Sequence, residues 1–187
     1  EVVLQTKNMN FASFPEGANV LDIERGKLAD IRKDVWQTDT SIGKNSWCYT
    51  HQWQSKTPNS LIDDLIDIVS KNGTMLLNIG PKADGTIPQD HQDVLLEMGD
   101  WLAINGEAIY NTRTWEKFGE GPTIVQKGHH SEANNKGFTS EDIRFTQKEN
   151  VVYAIALDIP EDGEILIRSF ANHEKINAST IKSIECL

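Results

Sequence analysis

Residues 60–88, SLIDDLIDIVSKNGTMLLNIGPKADGTIP, decide the fold. Leu61, Ile62, Leu65, Ile66, Ile68 and Val69 recur at helical spacing and form one broad apolar face. Ser60 is placed to cap this helix, with Asp63 at the third helical position, and Gly73 to supply the left-handed residue that ends it. Met75, Leu76, Leu77, Asn78 and Ile79 then run apolar without alternation, as a strand covered on both faces does. Pro88 opens a second helix, on which Val94, Leu95, Met98, Trp101 and Leu102 form a core stripe up to Gly106. A helix, a doubly buried strand and another helix in succession predict an α/β architecture built on a parallel sheet or barrel. In such folds ligands meet the C-terminal ends of the strands, which puts residues 78–84 on the binding side.

Charge and composition exclude several functions. The 187 residues carry a net charge of -10 and a pI near 4.9, without the Lys and Arg clusters that phosphate binding needs, so neither nucleic acid nor an anionic membrane surface is an expected partner. No apolar run reaches the roughly eighteen residues needed to cross a bilayer. The first residues, EVVLQTKNMN, lack the basic start and apolar middle of a signal peptide, so an export signal is expected to have been removed or to lie upstream. The two cysteines, Cys48 and Cys186, stand far apart in apolar surroundings and are read as free, half-buried thiols.

Before the central stretch, EVVLQT reads as a short strand and residues 7–21 as a long loop of the kind that carries function. Asp22, Ile23, Glu24, Arg25 and Gly26 read, by their residues alone, as a solvated turn. Residues 36–49, WQTDTSIGKNSWCY, crowd two tryptophans and a tyrosine among small hydroxyl side chains. Flat rings with interleaved hydroxyls suit a sugar site, and the same tryptophans would equally suit a core. After the second helix, residues 115–122 (WEKFGEGP) read as a linker. Beyond them residues 143–146, 151–157, 165–169 and 180–187 read as short strands of an antiparallel β domain, cut off within an element.

Taken together, WQTDTSIGKNSWCY, the 60–88 stretch, WLAINGEAIYNTRTW and FGEGPT resemble the α-L-fucosidases of glycoside hydrolase family 29. The resemblance covers nearly the whole chain but only the rear part of such an enzyme. It implies α/β plus all-β architecture: residues 1–115 as the last units of a (β/α)8-like catalytic barrel, and residues 116–187 as part of an antiparallel β-sandwich. It implies a retaining exo-hydrolase that removes terminal L-fucose from fucosylated glycans, needs no metal or organic cofactor, and is secreted or periplasmic.

Retention requires two carboxyl groups about 5 Å apart, one attacking the anomeric carbon and the other serving as acid and then base. The family's attacking aspartate belongs to a motif absent from these residues, and Asp22, Asp39, Asp84 and Asp100 stand in other contexts, so the remainder of the enzyme is expected to supply it. The acid/base is a glutamate a dozen or so residues before the tryptophan that Trp36 matches. Glu24 stands at that spacing, with Glu16 as the second choice, and Trp47 aligns with the aromatic that lines the fucose pocket. Gln37 replaces the glutamate usual after the first tryptophan.

The remaining polar features read as ordinary surface. Asp84 and Gly85 lack the earlier acidic residues of a calcium loop and form a turn. His129 and His130 have no third ligand at metal spacing and read as a solvated loop. His51 either borders the aromatic segment or lies on the surface. Two other classes of function compete with a glycosidase part: a noncatalytic carbohydrate-binding polypeptide, and an inert structural fragment whose open sheet edges leave it unstable alone.

Overall fold

The computed structural model describes residues 3–7, 18–171, 173, 176 and 180–187. Helix α1, Pro58–Ser70, begins before Ser60, because Thr57 and Pro58 together make a better start. Thr57 is extended and its hydroxyl accepts the Ser60 amide at 3.3 Å, while Pro58, with no N–H to leave unpaired, takes the first helical turn. Ser60 is therefore not the cap; its hydroxyl donates back to the Thr57 carbonyl at 2.8 Å. At the other end the left-handed residue is Asn72, with φ 69°, rather than Gly73. Its side-chain amide donates to the carbonyls of Arg32 and Lys33 and so fixes a conformation that asparagine tolerates. Gly73 answers a different demand, since a Cβ there would lie 2.6 Å from the Trp36 ring.

Four strands, β1 (Gln5–Thr6), β2 (Val20–Glu24), β3 (Trp36–Ser41) and β4 (Gly73–Asn78), form a wholly parallel sheet in sequence order. Because side chains alternate across a strand, register sorts them into two faces. Leu21, Ile23 and Trp36 are buried against Ile68 of α1, with Met75 beside them. The pairs Asp22 with Gln37, Glu24 with Asp39, and Ser41 with Asn78 share the opposite, polar face. β4 is not covered on both sides as its apolar run suggested: it lies at the sheet edge, and Leu76, paired with Asp39 on the polar face, is 54% exposed.

Helix α2 (Gln89–Asn105) places Val94 and Met98 in a core with Ile42, Leu61, Ile62 and Ile66, and Leu95, Trp101 and Leu102 pack around them as the periodicity required. The segment read as a linker is instead β5 (Arg113–Glu120), the first strand of an antiparallel sheet completed by β6 (Ile143–Lys148) and β7 (Val151–Ala156). Trp115 is its buried anchor, edge-on to Phe145 at 4.9 Å between ring centres. Residues 165–169 form no strand. The backbone amides of Arg168 and Ser169 donate to the Glu120 carboxylate at 2.7 and 2.6 Å, which ties them into a 3-10 turn, Arg168–Phe170, rather than a ladder. Residues 180–187 likewise form no regular element, and both cysteines are free and exposed rather than half-buried.

The two sheets are joined through buried charge. Asp67 of α1 accepts from Lys71 at 2.7 Å and from Arg144 Nε of β6 at 2.7 Å, all three side chains being essentially inaccessible. Burial alone would raise the Asp67 pKa, but Lys71, Lys27 and Arg144 outweigh it and hold the pKa below the usual carboxylate value. Burial pushes the Lys71 pKa down to about 8.

Candidate functional site

The C-terminal ends of β2, β3 and β4 carry the residues singled out by sequence. β2 ends on Glu24, and Arg25 follows it in the left-handed conformation, φ 44°. This turn sends the Arg25 guanidinium across to the loop after β3, where it donates to the carbonyls of Gly43 at 3.0 Å and Ser46 at 3.1 Å and lies 4.3 Å from the centre of the Trp47 ring. Asn78, the last residue of β4, donates through Nδ2 to the Trp47 carbonyl at 2.7 Å. Ser41 adds a bond to the Ser46 carbonyl and accepts the Gly43 amide. Trp47 is thus held from both neighbouring strands at the sheet end where Glu24 lies.

On the polar face the carboxylates of Asp22, Glu24 and Asp39 surround one ammonium. Lys7 Nζ is 2.8 Å from Asp39 and 3.3 Å from both Asp22 and Glu24. Burial alone would lower the Lys7 pKa; the hydrogen bond that Lys7 donates to Asp39 and the charges of Asp22 and Asp39 prevail and raise it. Gln37, a departure from the family pattern with no evident role in sequence, continues this row: it donates to Asp22 at 3.2 Å and accepts from Gln5 at 3.1 Å. The Glu24 side chain is 28% exposed, so it combines charged neighbours with access to solvent. Arg25 does not pair with Glu24; its donors are committed to the Trp47 loop.

The strand end holds one participant that sequence reasoning put elsewhere. His129 is not in a solvated loop: its Nδ1 accepts the Glu24 backbone N–H at 3.0 Å and its Nε2 lies 2.7 Å from the Lys7 carbonyl. The His130 amide donates to the Glu24 carbonyl at 2.8 Å, and the Glu132 amide to that of Arg25 at 2.9 Å. A Cβ at Gly26 would sit 1.9 Å from the Gly128 carbonyl, so the two segments cross at a point that admits no side chain.

Glu16 lies outside the described residues. His51 is exposed, with its ring edge-on to Tyr49 at 6.2 Å. Asp84 closes a turn by accepting the amide and hydroxyl of Thr86, which lowers its pKa. Among the described residues no group of three or more His, Cys, Asp or Glu could hold a metal, and no helix is long and apolar enough to cross a membrane.

Comparison with known proteins places this geometry. The family model described as "Alpha-L-fucosidase" matches residues 3–107. The tissue α-L-fucosidase of Homo sapiens is 37% identical over 149 residues, which cover 78% of this chain and 28% of that protein. The plasma α-L-fucosidase of Homo sapiens is 34% identical over 154 residues, covering 79% of this chain and 28% of the relative. The Thermotoga maritima α-fucosidase solved with a mechanism-based inhibitor superposes with a TM-score of 0.63 at 30% identity, over 84% of this chain and 32% of that one. The chain therefore spans between a quarter and a third of the length of these relatives, and a family model that matches more than half of its residues shows that it belongs to the α-L-fucosidase family.

Proposed function

We propose that these residues form the acid/base-bearing part of a retaining α-L-fucosidase that removes terminal α-L-fucose from glycans, with the attacking aspartate supplied from outside them. In this reading residues 1–115 are closing units of a (β/α)8-like barrel and residues 116–187 are part of a β-sandwich. The 187 residues alone are then inactive, and the whole enzyme works outside the cytoplasm, secreted or periplasmic. A relative named as a plasma form supports that location.

One observation carries the reading: Glu24 closes β2 on the polar face, and its sequence neighbour Arg25 lies against Trp47. In the first step the Glu24 carboxyl gives its proton to the glycosidic oxygen as the bond to the sugar breaks and the aspartate takes the anomeric carbon. In the second the Glu24 carboxylate removes a proton from water, whose oxygen displaces the aspartate, and the starting state is restored. The contact from Lys7 has to loosen for Glu24 to carry a proton. At 3.3 Å, from an ammonium 46% exposed, that contact is weak enough to yield. Trp47 would cover the apolar face of the sugar, adding about 1 kcal/mol beyond the area it buries.

The test uses the full-length protein and 4-nitrophenyl α-L-fucoside. Glu24→Ala should lower kcat by about 10²- to 10⁴-fold, the usual worth of a general acid/base. Added azide, which needs no base to attack the fucosyl-enzyme, should restore part of it. Unchanged turnover would transfer the role to another glutamate.

A further inference from the structure

We infer that His129 is a positioning residue for the acid/base, an inference that rests on the reading of Glu24 given above. A parallel ladder uses the amides of every second residue, and on β2 the Val20 amide donates to the carbonyl of Leu4, the residue just before β1, at 2.8 Å. At Glu24, two ladder steps on, the acceptor is the His129 imidazole instead of a carbonyl. The same ring closes on the Lys7 carbonyl, so one side chain joins the backbone of the residue bearing the carboxyl to that of the residue bearing the ammonium beside it.

The geometry fixes the form of the ring. Nδ1 faces an N–H and must present a lone pair, so the proton belongs on Nε2, which donates to Lys7. Both backbone groups of Glu24 are satisfied by consecutive residues, its N–H by His129 and its carbonyl by His130. The clamp holds two non-glycine residues in left-handed backbone, Arg25 at φ 44° and His130 at φ 56°, and so much constrained backbone around one residue is characteristic of positions whose orientation matters. His129 touches no part of a sugar bound over Trp47 in this scheme; it acts by holding the angle from which the Glu24 carboxyl reaches the glycosidic oxygen. A shift of even about 1 Å at such a group can cost on the order of a hundredfold in rate.

The experiment compares two fucosides in the full-length enzyme, one with a good leaving group (2-chloro-4-nitrophenol) that departs without protonation and one with a poor leaving group (methanol) that needs it. His129→Ala should lower kcat/KM, which reports on the step that expels the leaving group, by about 10-fold or more on the methyl fucoside while changing that of the aryl fucoside by about twofold or less. His129→Asn, whose side-chain oxygen falls near the place of Nδ1, should restore the methyl fucoside rate; His129→Gln, which reaches the place of Nε2 instead, should not. Equal losses on both substrates, or Asn and Gln variants that behave alike, would overturn the inference. Glu24→Ala run in parallel separates the two readings: if it shows the leaving-group selectivity and His129→Ala does not, only the positioning role falls. If Glu24→Ala shows none, the acid/base assignment falls and the positioning role with it.

Discussion

The guanidinium of Arg25 lies 4.3 Å from the centre of the Trp47 ring while its nitrogens hold the carbonyls of Gly43 and Ser46. One planar cation therefore fixes both the face of the indole and the loop that carries it. Lysine offers a point charge without the fork, so Arg25→Lys should let Trp47 drift and weaken fucose inhibition by about fivefold, close to the 1 kcal/mol of such a contact. An unchanged inhibition constant would show that Trp47 is placed without Arg25.

Removing the ring itself should be more severe. Trp47→Ala is expected to weaken fucose binding by about tenfold or more, as loss of a stacking surface does, with a smaller effect on kcat. Equal affinity for fucose in the variant and wild type would remove Trp47 from the pocket.

The sequence disclosed some of this and hid the rest for identifiable reasons. Helices α1 and α2 are legible because Leu61, Ile62, Ile66, Val94 and Met98 repeat at the helical period and pack as that period requires, and β4 because its apolar run stands out. β2 and β3 instead read as a turn and an aromatic-rich segment, because Asp22, Glu24, Gln37 and Asp39 on their polar face interrupt the apolar signal. β5 was misread because glycine and charge dominate WEKFGEGP, while its strand signal is carried by Trp115, buried to 6% exposure, whose partners Phe145 and Phe170 lie far along the chain. Ser60 took the place of Thr57 because the proline that starts the helix lies just outside the apolar repeat. Glu24 and Trp47 were named from resemblance, and the structure puts them at one end of one sheet. His129 and Lys7 could not be found from sequence: each meets Glu24 only across the fold, His129 from 105 residues away, and no local pattern encodes such a meeting.

The buried triad predicts a large stability effect. Asp67→Asn would leave Lys71 and Arg144 without their carboxylate in the interior, and breaking a buried pair in this way costs about 3–5 kcal/mol. The urea midpoint of the full-length protein should fall accordingly. Asp34→Asn, which affects the partly exposed pair with Arg32 at 3.7 Å, should change the unfolding free energy by less than about 0.5 kcal/mol.

Asp63 predicts a pH dependence. Burial, with help from the charge of Asp64, pushes its pKa from 3.8 up to about 7. The folded state then holds a proton that the unfolded chain releases, so Asp63 favours folding at low pH. That benefit is lost as pH rises from about 4 to about 7, above which the folded protein bears an ionised buried carboxylate. Asp63→Asn should accordingly be more stable than wild type at pH 8, by about 1–2 kcal/mol once solvent screening is allowed for, and the difference should vanish near pH 4. Melting temperatures of both proteins across this range decide it; a constant offset would mean that Asp63 does not titrate as its burial implies.

The bonds from Asp67 to Lys71 within α1 and to Arg144 on β6 also bear on how a substrate can be admitted. With that carboxylate shared between helix and antiparallel sheet, the second layer travels with the first, and swinging one away from the other would expose three unpaired charges at once. In the fucosidase proposed above, motion at this site is then left to the loops beyond these strand ends, the Trp47 loop and its arginine latch among them, and not to a hinge between these two layers.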